Sequence, residues 1–131
     1  MTRAQRNNNP GNVRISPSAW QGKKYPNTDG AFEQFETPEY GIRCLMITLR
    51  SYVNRHKKDT IRKIIDRWAP PNENNTTAYI NTVAKRSGIG PDEKIAFEKV
   101  AISKITEAIS FVESGSAWIT MEQIDKAWRL L

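Results

Sequence analysis

From residue 38 to the end of the chain, apolar residues recur at steps of three and four, the period of a helix that buries one face. Ile42, Leu45, Met46, Leu49, Tyr52 and Val53 form the first such stripe. Thr37 stands at its N-cap and Pro38 at the first helical position. A second helix capped by Thr60 carries Ile61, Ile64, Ile65 and Trp68, and Pro70-Pro71 stop it. A third runs over 76–87 with Ile80, Val83 and Ala84 on its face and Gly88 just past its end. The fourth spans 97–114, with Ala101, Ile105, Ala108, Ile109 and Val112 as its stripe and Gly115 as its stop. The fifth begins at Thr120, with Gln123 in capping-box spacing, and buries Ile124, Ala127, Trp128 and Leu131.

Residues 1–37 follow a different rule. In "NVRIS" the apolar positions Val13 and Ile15 alternate with Arg14 and Ser16, and "AFEQFET" reads as a second strand. Between them lies a stretch dense in Pro, Gly, Asn and Ser, the residues of turns. These patterns predict a single mainly α domain over 1–131 (α+β in class), with about five helices over 38–131 and a small β-hairpin lobe over 1–37. No repeat or linker divides the chain.

Composition adds limits. At 131 residues and 38% hydrophobic content, the chain supports one core. Its one cysteine, Cys44, excludes an internal disulfide and reads as a core or boundary residue. No cofactor is implied, and no cluster of His, Cys and carboxylates has metal-ligand spacing. The single histidine, His56, lies in a solvated basic run, a poor setting for a catalytic triad. No apolar run approaches the ~18 residues of a membrane span. The opening "MTRAQRNNN" has no apolar signal-peptide region, so a target outside the cell would require export by another factor. The net charge of +6 is concentrated in Arg50, Arg55, Lys57, Lys58, Arg62, Lys63 and Arg67. This stretch is either a solvated helix surface or a contact for polyanions such as nucleic acid or anionic cell-envelope polymers.

One carboxylate has a setting suited to acid catalysis. Glu113 closes the fourth helix in "AISFVESGSAW", after Phe111 and Val112. Apolar neighbours and the partial negative charge of a helix C-terminus both favour the protonated acid, which cleavage of a glycosidic bond requires. The alternative is a surface glutamate at a helix end.

The stretch "ESGSAW" resembles the segment that carries the catalytic glutamate in flagellar-type glucosaminidases of the lysozyme superfamily. In that family an Asn-Asn segment, a Trp-x-Gly and an aromatic strand follow the glutamate. Here "NNNPGNVR", "WQG" and "AFEQFETPEYGIR" come in the same order but precede it, as a circular permutation would produce. The full chain is also similar to a family of small phage and prophage proteins called virion or structural proteins. They share an Asn-Asn-Pro-Gly-Asn-Ile-Arg segment (Val13 replaces the isoleucine here), Trp-x-Gly, Phe-x-x-Phe-x-x-Pro-Glu-x-Gly-Ile-Arg and Arg-Trp-Ala-Pro-Pro-x-Glu-Asn.

These resemblances imply a lysozyme-like domain acting on peptidoglycan glycan strands, with Glu113 as general acid. A second carboxylate would come from Glu39, Glu33 or Asp29. Glu39 also suits a purely structural place near a helix N-terminus, and Glu73 either ties down its own turn or takes a catalytic part. Amides of Asn8, Asn9 and Asn12 and rings of Trp20, Tyr40 and Trp118 would bind sugars, whereas Trp68 and Trp128, on helical stripes, read as core. The other readings are a non-catalytic virion protein that contacts other virion proteins, or a basic nucleic-acid-binding protein. The expected location is a phage virion or the bacterial cytoplasm.

Overall fold

The computed structural model describes all residues, Met1–Leu131, and is mainly α-helical. The helices are α1 Arg3–Arg6, α2 Pro38–Arg50, α3 Ile61–Trp68, α4 Thr76–Ser87, α5 Lys99–Ser114 and α6 Met121–Arg129. Their starts follow local chemistry. The side chains of Thr37, Thr60 and Asn75 each accept a backbone N–H from the first turn of α2, α3 and α4. Thr120 and Gln123 close a reciprocal capping box on α6. The helix expected from residue 97 begins at Lys99, because the Glu98 carboxylate acts as N-cap and accepts from the N–H groups of Val100 and Ala101. Gly88 and Gly115 take left-handed conformations just past α4 and α5.

Helix α2 runs on into a π-helical turn, Ser51–Arg55, whose wider winding ends with His56 N–H donating to the Ser51 carbonyl. α4 packs on α5 and on α3, while α2 packs on α6 and α5. The core between them is aliphatic, with Ile42, Leu45, Met46, Leu49, Ile61, Ile64, Ile65, Ile102, Ile105, Ile109 and Ile124 sealed from solvent. Cys44 is buried, and this burial pushes its thiol well above the ordinary range. No helix is long and apolar enough to cross a membrane.

The expected β-hairpin lobe is not a sheet. Only two isolated antiparallel bridges form, Arg14 with Phe32 and Lys23 with Phe35. Side chains supply much of the order that a continuous ladder would give. Asn27 Oδ1 accepts from the N–H groups of Asp29 and Gly30, and Asp29 Oδ1 accepts from those of Ala31 and Phe32. The lobe is pressed onto α2 at Gly41. A Cβ there would collide with the carbonyl of Asn8, so only glycine permits this approach.

Candidate functional site

The N-terminal lobe and the helical body meet at an open cleft of about 370 Å³. One wall is the Gly11–Arg14 segment with Phe32; the other carries Tyr52, Trp68 and the turn at Glu73-Asn74, with Glu113 also lining the cleft. The Asn8–Asn12 segment thus reaches the glutamate. Asn12 Nδ2 donates to Glu113 Oε1 at 3.1 Å across 101 residues of sequence. A left-handed backbone at Asn12, φ 47°, aims that amide.

The other carboxylate oxygen is held from α4. The Tyr79 hydroxyl donates to Glu113 Oε2 at 2.7 Å and accepts from Trp68 Nε1 at 3.2 Å. Burial, followed by the adjacent Glu113 charge, raises the Tyr79 pKa, so the phenol keeps the proton it donates. No lysine or arginine pairs with Glu113; the ion pairs of the chain lie elsewhere. A carboxylate has about four lone-pair positions, so two donors leave room for a ligand.

The three carboxylates expected to assist Glu113 do not line this cleft. Asp29 is clamped by Arg3, whose guanidinium makes two bonds to it at 2.7 and 2.8 Å, and it also accepts from Asn7. The Arg3 bonds, then Asn7 and the Phe32 N–H, hold its pKa well below the usual carboxylate range. Glu33 is fully buried, paired with Lys23 at 3.0 Å, and accepts the N–H of Ser16. Glu39 sits in the first turn of α2, where its charge complements the helix dipole. Glu73 does line the cleft, is exposed and belongs to no ion pair. Its turn is tied instead by the N–H of Glu73 and the Asn74 amide, both donating to the Pro70 carbonyl.

The expected sugar ligands divide in the same way. Asn12 faces the cleft, whereas Asn9 is fully buried and its Nδ2 donates to the carbonyls of Val13 and Glu33. Asn8 donates to the Phe35 carbonyl. Trp118 packs against the core with its Nε1 on Ser114 Oγ, and Tyr40 packs against Gly22. Trp20 is half-buried away from the cleft. The rings on the cleft wall are instead Phe32, Tyr52 and Trp68. Trp68, expected in the core from its helical stripe, does pack against it, as does Tyr52, and both also line the cleft. The signal that was missed is that a buried Tyr or Trp needs a partner for its polar atom, and for Tyr79 and Trp68 that chain of partners ends at Glu113.

No protein-family model matches the chain. A curated relative does: Protein P5 of Pseudoalteromonas phage PM2 is 36% identical over 129 residues, covering 96% of this chain and 79% of the relative. At that identity and coverage, the chain belongs to the family of this phage protein.

Proposed function

We propose that the protein is a phage-particle component whose cleft cleaves peptidoglycan glycan strands, with Glu113 as general acid and Glu73 as the second carboxylate. The observation that carries this reading is the placement of Glu113 and Glu73 in one open, ring-lined cleft, with Glu113 held by Asn12 and Tyr79. Once protonated, Glu113 gives its proton to the glycosidic oxygen as the bond from that oxygen to C1 breaks. The carboxylate is thereby restored, and the Asn12 and Tyr79 donors already point at it and need no reorganisation. Water attacks C1 and Glu73 takes the proton that water loses. Phe32, Tyr52 and Trp68 line the cleft, and aromatic side chains there would pack against sugar rings.

Clearing of a purified peptidoglycan suspension tests this. Glu113→Gln should abolish clearing, and Glu73→Gln should reduce it at least ~100-fold, the usual scale of general acid–base assistance. Clearing by Glu113→Gln at the wild-type rate would make the assignment wrong. Loss with Glu113→Gln but not with Glu73→Gln would move the reaction to an attack by the substrate's own hydroxyl.

A second reading, a virion component with no chemistry, is favoured by the phage relative itself. It predicts that the wild-type protein clears no peptidoglycan but co-purifies with particles, and that Glu113→Gln is incorporated normally.

A further inference from the structure

Of the three rings that line the cleft, only Trp68 is joined to Glu113 by hydrogen bonds. Its Nε1 donates to the Tyr79 hydroxyl at 3.2 Å, and that hydroxyl donates to Glu113 Oε2 at 2.7 Å. A hydroxyl that accepts a hydrogen bond becomes a stronger donor, so each bond in such a chain reinforces the next. At Tyr79, burial and then the Glu113 charge keep the proton on the phenol oxygen, while the indole N–H pulls the other way, toward sharing it with the glutamate.

Three elements fix where the indole lies. Tyr79 on α4 takes its N–H. The Tyr52 ring meets it edge-on, with centroids 6.4 Å apart and planes at 64°. From the lobe, Gly11 approaches so closely that a Cβ there would stand 3.1 Å from Cζ2 and 3.2 Å from Cη2 of the indole, and 3.3 Å from Leu45 Cδ1. Cζ2 is on the same edge of the ring system as Nε1, so this contact bears on the edge that carries the N–H. Leu45 is sealed in the core, so bulk added at Gly11 is relieved only by moving the indole or the lobe.

The residue after Gly11 is Asn12, which holds the other carboxylate oxygen, Oε1, at 3.1 Å. Two adjacent residues of the lobe thus reach both oxygens of Glu113, Asn12 directly and Gly11 through Trp68 and Tyr79.

We propose that Trp68 is a positioning residue for Glu113, acting through Tyr79, with Gly11 setting its place. This rests on the reading of Glu113 as the acid of the cleft. The ring that a sugar would pack against is then the ring that orients the donor to the acid, so filling the cleft and holding the acid belong to one arrangement.

Two measurements on the full-length protein test this. The first is a double-mutant cycle on peptidoglycan clearing. Trp68→Phe keeps a flat ring and removes the N–H, so it should lower kcat about tenfold and leave KM within about twofold. In a Tyr79→Phe background the same change should cost less than about twofold in kcat, because the relay is already cut. Gly11→Ala should behave likewise, lowering kcat only while Tyr79 is present. Equal losses in both backgrounds would overturn the proposal. So would a rise in KM with kcat unchanged, which would make the indole a sugar platform only. The second measurement needs no activity and no Trp68 variant. In heteronuclear NMR spectra, the assigned Trp68 indole N–H signal should shift as Glu113 takes up a proton between about pH 8 and 3.5. That shift should vanish in Glu113→Gln and in Tyr79→Phe. A Trp68 signal that follows pH identically in wild type and Glu113→Gln would refute the relay. If the relay shows in the spectra but the wild type clears no peptidoglycan, the glycan reading falls and the holding of Glu113 by Trp68 stands.

Discussion

Replacing Tyr79 by Phe removes one oxygen and tests how Glu113 is held. The ring is 8% exposed and its packing survives the change, so no cavity forms. Two hydrogen bonds are lost. The one to Glu113 Oε2, at 2.7 Å, reaches a carboxylate, a class whose net contribution is about 1.5–3 kcal/mol. The other leaves Trp68 Nε1 without its acceptor, and because the indole is half-buried on an open cleft, water offsets part of that loss, leaving up to ~1 kcal/mol. The expected total is about 1.5–4 kcal/mol. For a domain of this length, at roughly 3–5 °C per kcal/mol, Tm should fall by roughly 5–20 °C. Urea unfolding should give a lower midpoint with an unchanged slope, because the exposed surface is the same. Adding Glu113→Gln isolates the charge. In that background Tyr79→Phe removes a neutral hydrogen bond, so its cost should shrink by about 1 kcal/mol. A cost under ~0.5 kcal/mol in both backgrounds would show that the hydroxyl does not hold the glutamate.

Two further substitutions separate competing effects. Gly41→Ala in α2 gains about 1 kcal/mol of helix propensity, yet the new Cβ collides with the Asn8 carbonyl. The collision should win, lowering the urea midpoint by the equivalent of about 1–2 kcal/mol, and a raised midpoint would refute the tight contact. Asp29→Asn concerns pH. The folded-state pKa of Asp29 lies below its unfolded value of about 3.9, so its contribution to stability is complete above that value and drains away as pH falls through the folded pKa. The variant should be less stable than wild type at pH 7 and lose less Tm between about pH 4 and 2. Parallel Tm–pH curves over that range would contradict the clamp by Arg3.

The helical body was legible because its signals are local. Thr37, Thr60 and Thr120 cap the helices that the apolar stripes predict, and Gly88 and Gly115 end two of them. The start of α5 was placed early because glutamate is an uncommon N-cap, and α1, four residues long, is too short to show a period. The alternation at Val13 and Ile15 pointed to a strand, but Ile15 is 42% exposed and pairing stops after single bridges. At the site, Glu113 stood out from its helix-end setting, and the resemblance directed attention to the asparagine segment. Asp29 and Glu33, two candidates for a second carboxylate, lie outside the cleft because their partners, Arg3 and Lys23, are set by tertiary contacts. Four acidic residues close to an expected site look alike in sequence. What separates them is that the fold pairs Asp29 and Glu33, and that of the two left unpaired Glu73 lines the cleft and Glu39 does not.

The asparagine segment shows how a lobe with almost no sheet positions a donor. Asn7 donates to Asp29 and accepts from Gln34 Nε2, Asn8 donates to the Phe35 carbonyl, and Asn9 bonds the Val13 and Glu33 carbonyls while its Oδ1 accepts the Val13 N–H. Each joins the first turn of the lobe to its return segment, which is the work a strand ladder would otherwise do. Only an amide on a short arm can donate and accept at such spacing. A carboxylate at Asn9 would face two carbonyl oxygens, and an alanine would leave both unbonded. Asparagine also tolerates the left-handed backbone at Asn8 and Asn12, φ 51° and 47°. Three amides therefore fix the wall and the fourth, Asn12, is left to reach Glu113. Catalysis by proton transfer depends on a donor that stays in place while charge develops, and a donor is held best by neighbours whose own bonds are complete. The asparagines expected to bind sugars thus stand in two layers about the glutamate, Asn12 touching it and Asn8 and Asn9 bonding the segment that carries Asn12 to the rest of the lobe.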